Sequence, residues 1–303
     1  MTAQPSAAGG FRAGFVSFVG RPNVGKSTLT NALVGEKVAI TSSKPQTTRR
    51  AIRGIVHCDD GQLVIVDTPG VHRPRTLLGN RLNSLVQSTL DGVDAIGLCL
   101  PANERIGPGD RYINAQLDDF SHAKKVAIVT KIDLASRTAV AEQLLAVSSL
   151  REWEVIVPVS AANNRQLATL ASELVRILPL SSALYPPEVA TDEDLAARVA
   201  ELIREAALEG VSDELPHSLA VTIDEIVERD DKALVEIYAN LIVERDSQKG
   251  IVIGHAGTSL ASIGTRARTE IEPLVGKAVF LALQVKVAKN WQRDARQLGK
   301  LGF

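Results

Sequence analysis

Short apolar runs of strand length punctuate the first 160 residues and alternate with segments of helical period. The runs fall at 12–19, 51–58, 63–67, 94–100, 124–130 and 154–159, and the helical patterns at 26–33, 76–91, 108–119, 137–149 and 165–177. The runs at 51–58 and 63–67 flank the turn residues DDGQ and predict a hairpin. The remainder alternate strand with helix, which predicts a doubly wound, mostly parallel α/β sheet. Ligands of such sheets bind at the carboxyl ends of the strands.

Beyond residue 178 the order changes. The stretch LPLSSALYPPEVA holds three prolines and few charges and reads as a linker. A helical pattern at 192–208 is followed by alternating strands at 219–229 and 233–244. Then come a short helix (247–253), a longer one (258–274), a strand (278–288) and a basic tail. The implied division is a loose tail (1–11), an α/β domain (12–178), a linker (179–190) and a smaller α+β domain (191–303).

Composition adds limits. The chain has 303 residues, 45% hydrophobic and 23% charged, the balance of a globular protein. No apolar run reaches the roughly 18 residues of a membrane span. The opening MTAQPSAAGG lacks the basic start and apolar core of a secretion signal. Cys58 and Cys99 both fall in apolar runs and read as small buried hydrophobes. A cytoplasmic location is expected. The net charge of −1 hides a strong asymmetry: +5 over residues 1–180, −12 over 181–246 and +6 over 247–303. A basic end behind an acidic block fits a positive face for a polyanion, and equally a solvated helix surface.

The chemistry begins with GRPNVGKS at 20–27, placed between the first strand and the first helix. Gly20, Gly25, Lys26 and Ser27 have the phosphate-loop spacing. Glycines let backbone N–H groups converge on phosphates, Lys26 supplies a point charge, and Ser27 a hydroxyl for Mg²⁺. The loop and first helical turn, from Gly20 through Arg21, Pro22, Asn23 and Val24 to Thr28, are the expected phosphate contacts. DTPG (67–70) ends a strand, so Asp67 would hold Mg²⁺ through water and the Gly70 N–H would reach a γ-phosphate. TKID (130–133) ends another strand, where Asp133 would accept two hydrogen bonds from guanine and Lys131 would lie along the base. In SAA, Ser160, Ala161 and Ala162 follow the last strand of the domain, and a backbone N–H there could reach the guanine oxygen. In this order, the four motifs point to GTP and GDP rather than to adenine nucleotides.

With KPQTTR (44–49) and DTPGVH (67–72) added, these motifs resemble the GTPases of the Era group. The resemblance spans essentially the whole chain after the tail. It implies that a threonine of the first switch, Thr48 in preference to Thr47, binds Mg²⁺, and that Lys26, Thr48 and Gly70 act at the reacting phosphate. Ras-like enzymes orient water with a glutamine directly after the DxxG glycine; here that residue is Val71, so hydrolysis is expected without it. Asn23 matches an asparagine that in related GTPases helps to bind K⁺, which makes K⁺ a candidate second cation. His72 follows the second switch motif without an assigned role. One departure concerns Thr130, where the family pattern has asparagine. Threonine lacks the amide and its reach, so a weaker tie to the phosphate loop and weaker nucleotide binding are expected.

The second domain carries a G-x-x-G turn, Gly254–His255–Ala256–Gly257, between two helices. Such a turn in a KH domain clamps about four nucleotides of backbone. The element order resembles the second KH topology, as in the Era C-terminal domain. Lysine and glycine are usual where this chain has His255 and Ala256, so Lys249, Lys286, Lys289 and Arg293 are candidates to supply the backbone charge. Trp153 and Trp291 read as packing residues, and His57, His122 and His217 lack a partner motif. The resemblance implies a GTP-hydrolysing switch that binds 16S rRNA near its 3′ end and assists assembly of the small (30S) ribosomal subunit. It also implies a monomer, with weak peripheral association at the inner face of the cell membrane. The competing expectation is an RNA-binding scaffold whose nucleotide site only stabilises the fold. GTPases of tRNA modification or large-subunit assembly are a third, opposed by the single phosphate loop and by a tail without a terminal cysteine.

Overall fold

The computed structural model describes residues 10–42, 44, 47–70, 76–209, 218–229 and 233–303. Val71, His72 and His217, singled out above, lie outside the described residues, as do Pro45 and Gln46 of KPQTTR. The chain divides into two units. One comprises Met1–Ala39, Arg50–His72 and Ser84–Asp192; the other comprises Ile40–Arg49, Arg73–Asn83 and Glu193–Phe303.

Among the described residues of the first unit, six strands form one sheet in the order β2-β3-β1-β4-β5-β6. They are β1 (Arg12–Val19), β2 (Ile52–Cys58), β3 (Gly61–Asp67), β4 (Ala95–Pro101), β5 (Lys124–Thr130) and β6 (Val155–Pro158). The pairs β1–β3, β1–β4, β4–β5 and β5–β6 are parallel, while β2–β3 is the antiparallel hairpin. Helices α1 (Lys26–Val34), α3 (Pro108–Gln116), α4 (Arg137–Ser148), α5 (Leu167–Ile177) and the part of α2 (Leu77–Leu90) from Ser84 onward alternate with the strands. The doubly wound expectation is met. Central strands β3 and β4 are buried along their whole length, as a parallel sheet covered on both faces requires. Apolar clusters around Phe18, Leu63 and Leu170 on one face and Leu98, Ile113 and Val147 on the other form the core.

The predicted helix over 108–119 stops at Gln116 and tightens to a 3₁₀ turn over Leu117–Asp119. The proline-rich linker is pinned along the sheet edge. Gln62, buried in β3, accepts from the Leu184 and Tyr185 backbone and donates to the Tyr185 carbonyl. The Ile55 N–H donates to the Ala190 carbonyl at 2.8 Å, which occupies edge strand β2. His57 reaches the Val189 carbonyl at 2.9 Å, so its partner is the linker.

In the second unit, β7 (Ala220–Arg229), β8 (Leu234–Val243) and β9 (Ala278–Val287) form a three-stranded sheet. β7 and β8 are antiparallel, and β8 and β9 parallel. Helices α6 (Leu195–Glu209), α7 (Asp246–Ile253) and α8 (Thr258–Val275) share one core with them. Odd-numbered residues of β8 and β9, such as Ile237, Leu241 and Val285, join Ile203, Ala207, Val252 and Ile263 in one core. The tail is not featureless: Ala295–Lys300 form a helix, α9, capped by the Asp294 carboxylate on the Arg296 and Gln297 N–H groups. Leu298, Leu301 and the fully buried Trp291 seat this end of the chain. Trp291 also stacks on Phe303 and donates to the Ser218 carbonyl, so it is a packing residue.

Candidate nucleotide site and G-x-x-G turn

β1 ends at Val19 and α1 starts at Lys26, so residues 20–25 make the turn between strand and helix. Gly25 caps the helix at φ 100°, where an added Cβ would meet open space. The backbone there lines a cavity at a helix N-terminus, the setting that suits an anion. Lys26 is buried and places its ammonium 3.2 Å from the Gly20 carbonyl and 3.1 Å from the Arg21 carbonyl. Burial lowers its pKa and the Asp67 carboxylate opposes the drop. A Cβ built on Gly70 would stand 3.5 Å from the Lys26 amine, so the DTPG strand end and the phosphate loop converge on one point.

The Ser27 hydroxyl donates to Oδ2 of the fully buried Asp67 at 2.7 Å. This hydroxyl–carboxylate pair is an all-oxygen set of the kind Mg²⁺ takes, with phosphates and waters completing an octahedron. Among the described residues no group of three His, Cys, Asp or Glu side chains could hold a metal. A magnesium shared with phosphates needs fewer protein ligands than that, so the residues fit this ion.

Arg21 behaves differently from the expected phosphate contact. Its Nε donates to Asp110 Oδ1 at 2.7 Å and its Nη2 to Glu104 at 3.0 Å. Asp110 is buried and also accepts the Gly107 N–H. The hydrogen bond from Arg21 to Asp110 is the main cause of its raised pKa. Arg21 therefore enters the site through its carbonyl, while its side chain anchors the loop to α3.

The base-binding motifs also converge. Gly25, Thr28, Leu29, Thr130, Lys131, Asp133, Leu134, Val159, Ala161 and Ala162 line a cavity of about 190 Å³. Ser160 is buried and donates to Asp133 Oδ1 at 2.5 Å, which orients the carboxylate. Lys131 donates to the Asn23 carbonyl at 2.7 Å. Thr130 donates to the Val24 carbonyl at 2.7 Å. The tie between base loop and phosphate loop expected to weaken with threonine is thus present: the hydroxyl spans the gap. Leu29, Leu134 and Val159 line the cavity with no signal in the sequence, since an apolar residue beside a motif carries no mark of a ligand. Cys99 is buried, which pushes its thiol up to about 12 and leaves it inert.

Thr48 lies in the second unit and is buried. Its segment is fastened there by several polar contacts. Arg204 donates to the Thr47 carbonyl, Glu205 accepts the Thr41 N–H at 2.8 Å, and Arg49 donates to the Leu219 carbonyl at 2.6 Å. Burial pushes the Arg49 guanidinium down to about 9, with the Arg204 charge adding to the drop and Glu201 opposing it.

In the G-x-x-G turn, Gly254, Ala256 and Gly257 have φ of 73°, 49° and 80°. This backbone links α7 to α8 and leaves His255 and Ala256 exposed. Ile251, in the last turn of α7, is 53% exposed and offers apolar surface close by in sequence. Of the proposed basic residues, Lys249 belongs to α7 itself. Lys286 alternates with the core residue Val285, so it projects from the sheet face turned away from the core, and it pairs with Asp224 at 3.8 Å. Lys289 and Arg293 are exposed after β9.

Residues 15–131 match the family described as 50S ribosome-binding GTPase, and residues 214–292 match the KH domain family. A protein named GTPase Era in Leifsonia xyli is 72% identical over 294 residues, covering 97% of this chain and 99% of its own length. The chain belongs to the Era family of GTPases. A Mycolicibacterium smegmatis protein of the same name is 61% identical over 296 residues, again covering 97% of this chain and 99% of its own. Among solved structures, Era in complex with MgGDPNP and nucleotides 1506–1542 of 16S ribosomal RNA matches with a TM-score of 0.92 at 34% identity. The match covers 96% of this chain and 99% of that one. An Aquifex aeolicus Era variant bound to GDP and AlF₄⁻ matches with the same TM-score and identity. No helix among the described residues is long and apolar enough to cross a membrane.

Proposed function

We propose that this protein is a GTP-hydrolysing switch that binds 16S rRNA near its 3′ end through the KH domain and assists 30S subunit assembly. The observation that carries the nucleotide half is the Ser160–Asp133 hydrogen bond, with Asp133 lining a cavity that Gly25 of the phosphate loop and Thr28 also line. The oriented carboxylate takes the two donors of guanine, and the backbone of Ala161 or Ala162 meets its oxygen. Residues Gly20 to Thr28 cradle the phosphates. Lys26, its ammonium already aimed at the loop carbonyls, exchanges those contacts for β- and γ-oxygens, which restores its charge-favouring surroundings.

Ser27 and Asp67 would hold Mg²⁺, which would neutralise charge developing on the phosphates. Thr48 carries its proposed share of that role on the motif alone. Gly70 meets the γ-phosphate through its N–H. Val71 supplies no hydrogen bond to water, so positioning and charge neutralisation carry the reaction. Asn23 would contribute to holding a K⁺ ion, which would add positive charge beside the phosphates, and Lys131 fixes the loop through the Asn23 carbonyl. Equal turnover in KCl and NaCl would remove this assignment.

The KH half rests on the exposed positive-φ turn and on the relative solved with 16S RNA. His255, Ala256 and the glycines contact the phosphodiester backbone, with charge from Lys249, Lys289 and Arg293. Lys286 is a weaker member of that set because of its pairing with Asp224. Crosslinking the full chain to a 16S 3′-terminal RNA with GTP, with GDP and without nucleotide tests the switch. State-dependent crosslinking is expected. Equal crosslinking in all three, with no phosphate release from GTP, would favour the scaffold instead. The protein is expected to work as a monomer in the cytoplasm, with peripheral contact at the membrane's inner face.

A further inference from the structure

The helices of the second unit cover one face of its sheet, where Ile237, Leu241 and Val285 meet Val252 of α7 and Ile263 of α8. The G-x-x-G turn joins those two helices and so belongs to that side. The opposite face is covered at one end, where Ala220 and Ile242 pack with Leu78, Leu82, Trp291 and Leu298. At the other end it is bare. Tyr238 of β8 is 37% exposed and Phe280 of β9 is 50% exposed. Their rings meet edge to face, with centroids 6.4 Å apart. Two aromatic side chains in contact on an open sheet face form a patch, and such patches mark interaction sites.

The charges around the rings select the partner. Glu236 accepts the Tyr238 hydroxyl at 3.2 Å and the Arg229 Nε at 3.2 Å. Glu225 stands directly across from Tyr238 in the antiparallel pair, just past an irregularity in register after Ile223. Lys286 is matched by Asp224 at 3.8 Å. Among the described residues, Arg229 and Lys286 are thus each matched by a carboxylate, and that of Glu225 is left over beside the rings. An RNA backbone or an anionic lipid surface would meet like charge here, and so would a second copy of the same patch. A cation meets the reverse. A carboxylate beside exposed π-faces is the setting that holds arginine and lysine side chains.

The bare area is small. About five residues along a strand span roughly 16 Å and three strands roughly 14 Å, a footprint on the order of 200 Å². A standard interface takes about 800 Å² per partner. This face therefore serves as one anchor that strengthens a second contact, since linked contacts multiply in affinity.

We propose that this end of the sheet is a docking surface for a basic protein segment, with an arginine or lysine side chain held against Tyr238, Phe280 and Glu225. The inference rests on the assembly reading above. On that reading the 30S subunit supplies RNA to the helical side of the domain and a basic protein to this one.

The full chain carrying Phe280→p-benzoylphenylalanine, irradiated with purified 30S subunits, reports what lies against the face. Crosslinks to a ribosomal protein are expected. Crosslinks to rRNA or to a second copy of the chain, or none at all, overturn the proposal. Binding measurements give an independent check. Tyr238→Ser combined with Phe280→Ser should weaken 30S binding about tenfold, the worth of an aromatic anchor. Affinity for protein-free 16S 3′-terminal RNA should stay within about twofold, which also shows that the domain is folded. Glu225→Lys keeps both rings and should weaken 30S binding about 3- to 10-fold in low salt, and less in high salt. Variants that bind 30S subunits like the parent overturn the proposal. Equal losses on 30S subunits and on RNA alone overturn it too, because the face would then contact RNA. A parent chain without affinity for 30S subunits overturns the assembly reading itself, a failure distinct from these.

Discussion

Arg21 of the phosphate loop and Asp110 of α3 form a hydrogen-bonded ion pair, Nε to Oδ1 at 2.7 Å, with the carboxylate buried. The second oxygen of Asp110 accepts the Gly107 N–H at 2.9 Å, so the same group caps α3 and steadies the loop. In Asp110→Asn the amide must face one of these two donors with its own N–H groups. Loss of a charge-assisted hydrogen bond costs about 1–3 kcal/mol. Denaturant unfolding should show a loss in that range. GDP affinity should fall only a few-fold, since the Arg21 carbonyl still meets Lys26. Unchanged stability would mean that Arg21 is restrained by other contacts.

The Thr130 hydroxyl is the second long-range tie, between residues 106 positions apart. Thr130→Val keeps the shape and removes the donor, leaving the Val24 carbonyl buried without it. A cost of about 1–3 kcal/mol in unfolding free energy follows, with weaker GDP binding because both loops of the site loosen. Thr130→Ser, which retains the hydroxyl, should stay close to the parent in both measurements. Equal behaviour of the valine and serine variants would deny the tie.

These two ties show where sequence reasoning stops. The phosphate loop, DTPG, TKID and SAA were legible because phosphate and guanine recognition demand set residue types at set distances along the chain. The alternation of strand and helix was legible because a sheet buried on both faces must be apolar throughout. Within their motifs alone, Arg21 reads as a phosphate contact and Thr130 as a weaker tie to the phosphate loop. Their partners sit 89 and 106 residues away, and a pairing at that range leaves no local pattern. Helix α9 was missed for a related reason. Its six residues carry one buried apolar position, Leu298, and its stability comes from the Asp294 cap and from Trp291 and Leu301.

The G-x-x-G turn holds strain at a non-glycine. Ala256 sits at φ 49°, a conformation that costs an L-residue roughly 1–2 kcal/mol. Glycine there would relieve the strain but add about 0.4–1 kcal/mol of unfolded-chain entropy. Ala256→Gly should therefore raise stability by about 0.5–1 kcal/mol, seen as a modest rise in Tm. Gly254→Ala should do the reverse, because its Cβ would lie 2.7 Å from the Ser259 Cβ and 2.9 Å from the Ser259 nitrogen. A Gly254→Ala protein with unaltered Tm and RNA affinity would show that the turn adapts freely.

At the end of the linker, Asp192 accepts from the Tyr185 hydroxyl at 2.7 Å and from Arg53 at 2.8 Å. Burial raises the carboxyl pKa, but the hydrogen bonds from Tyr185 and Arg53 outweigh it, and the net shift is downward. A carboxyl whose pKa is depressed on folding stabilises the fold above its unfolded pKa of about 3.9. That contribution disappears as pH falls from there through the lower folded value. Asp192→Asn should thus be less stable than the parent at pH 7, with the gap closing between pH 4 and the acid limit. Urea midpoints measured at intervals from pH 7 to pH 3 check this. A gap that stays constant over that span would assign the effect to lost geometry rather than to the charge of Asp192.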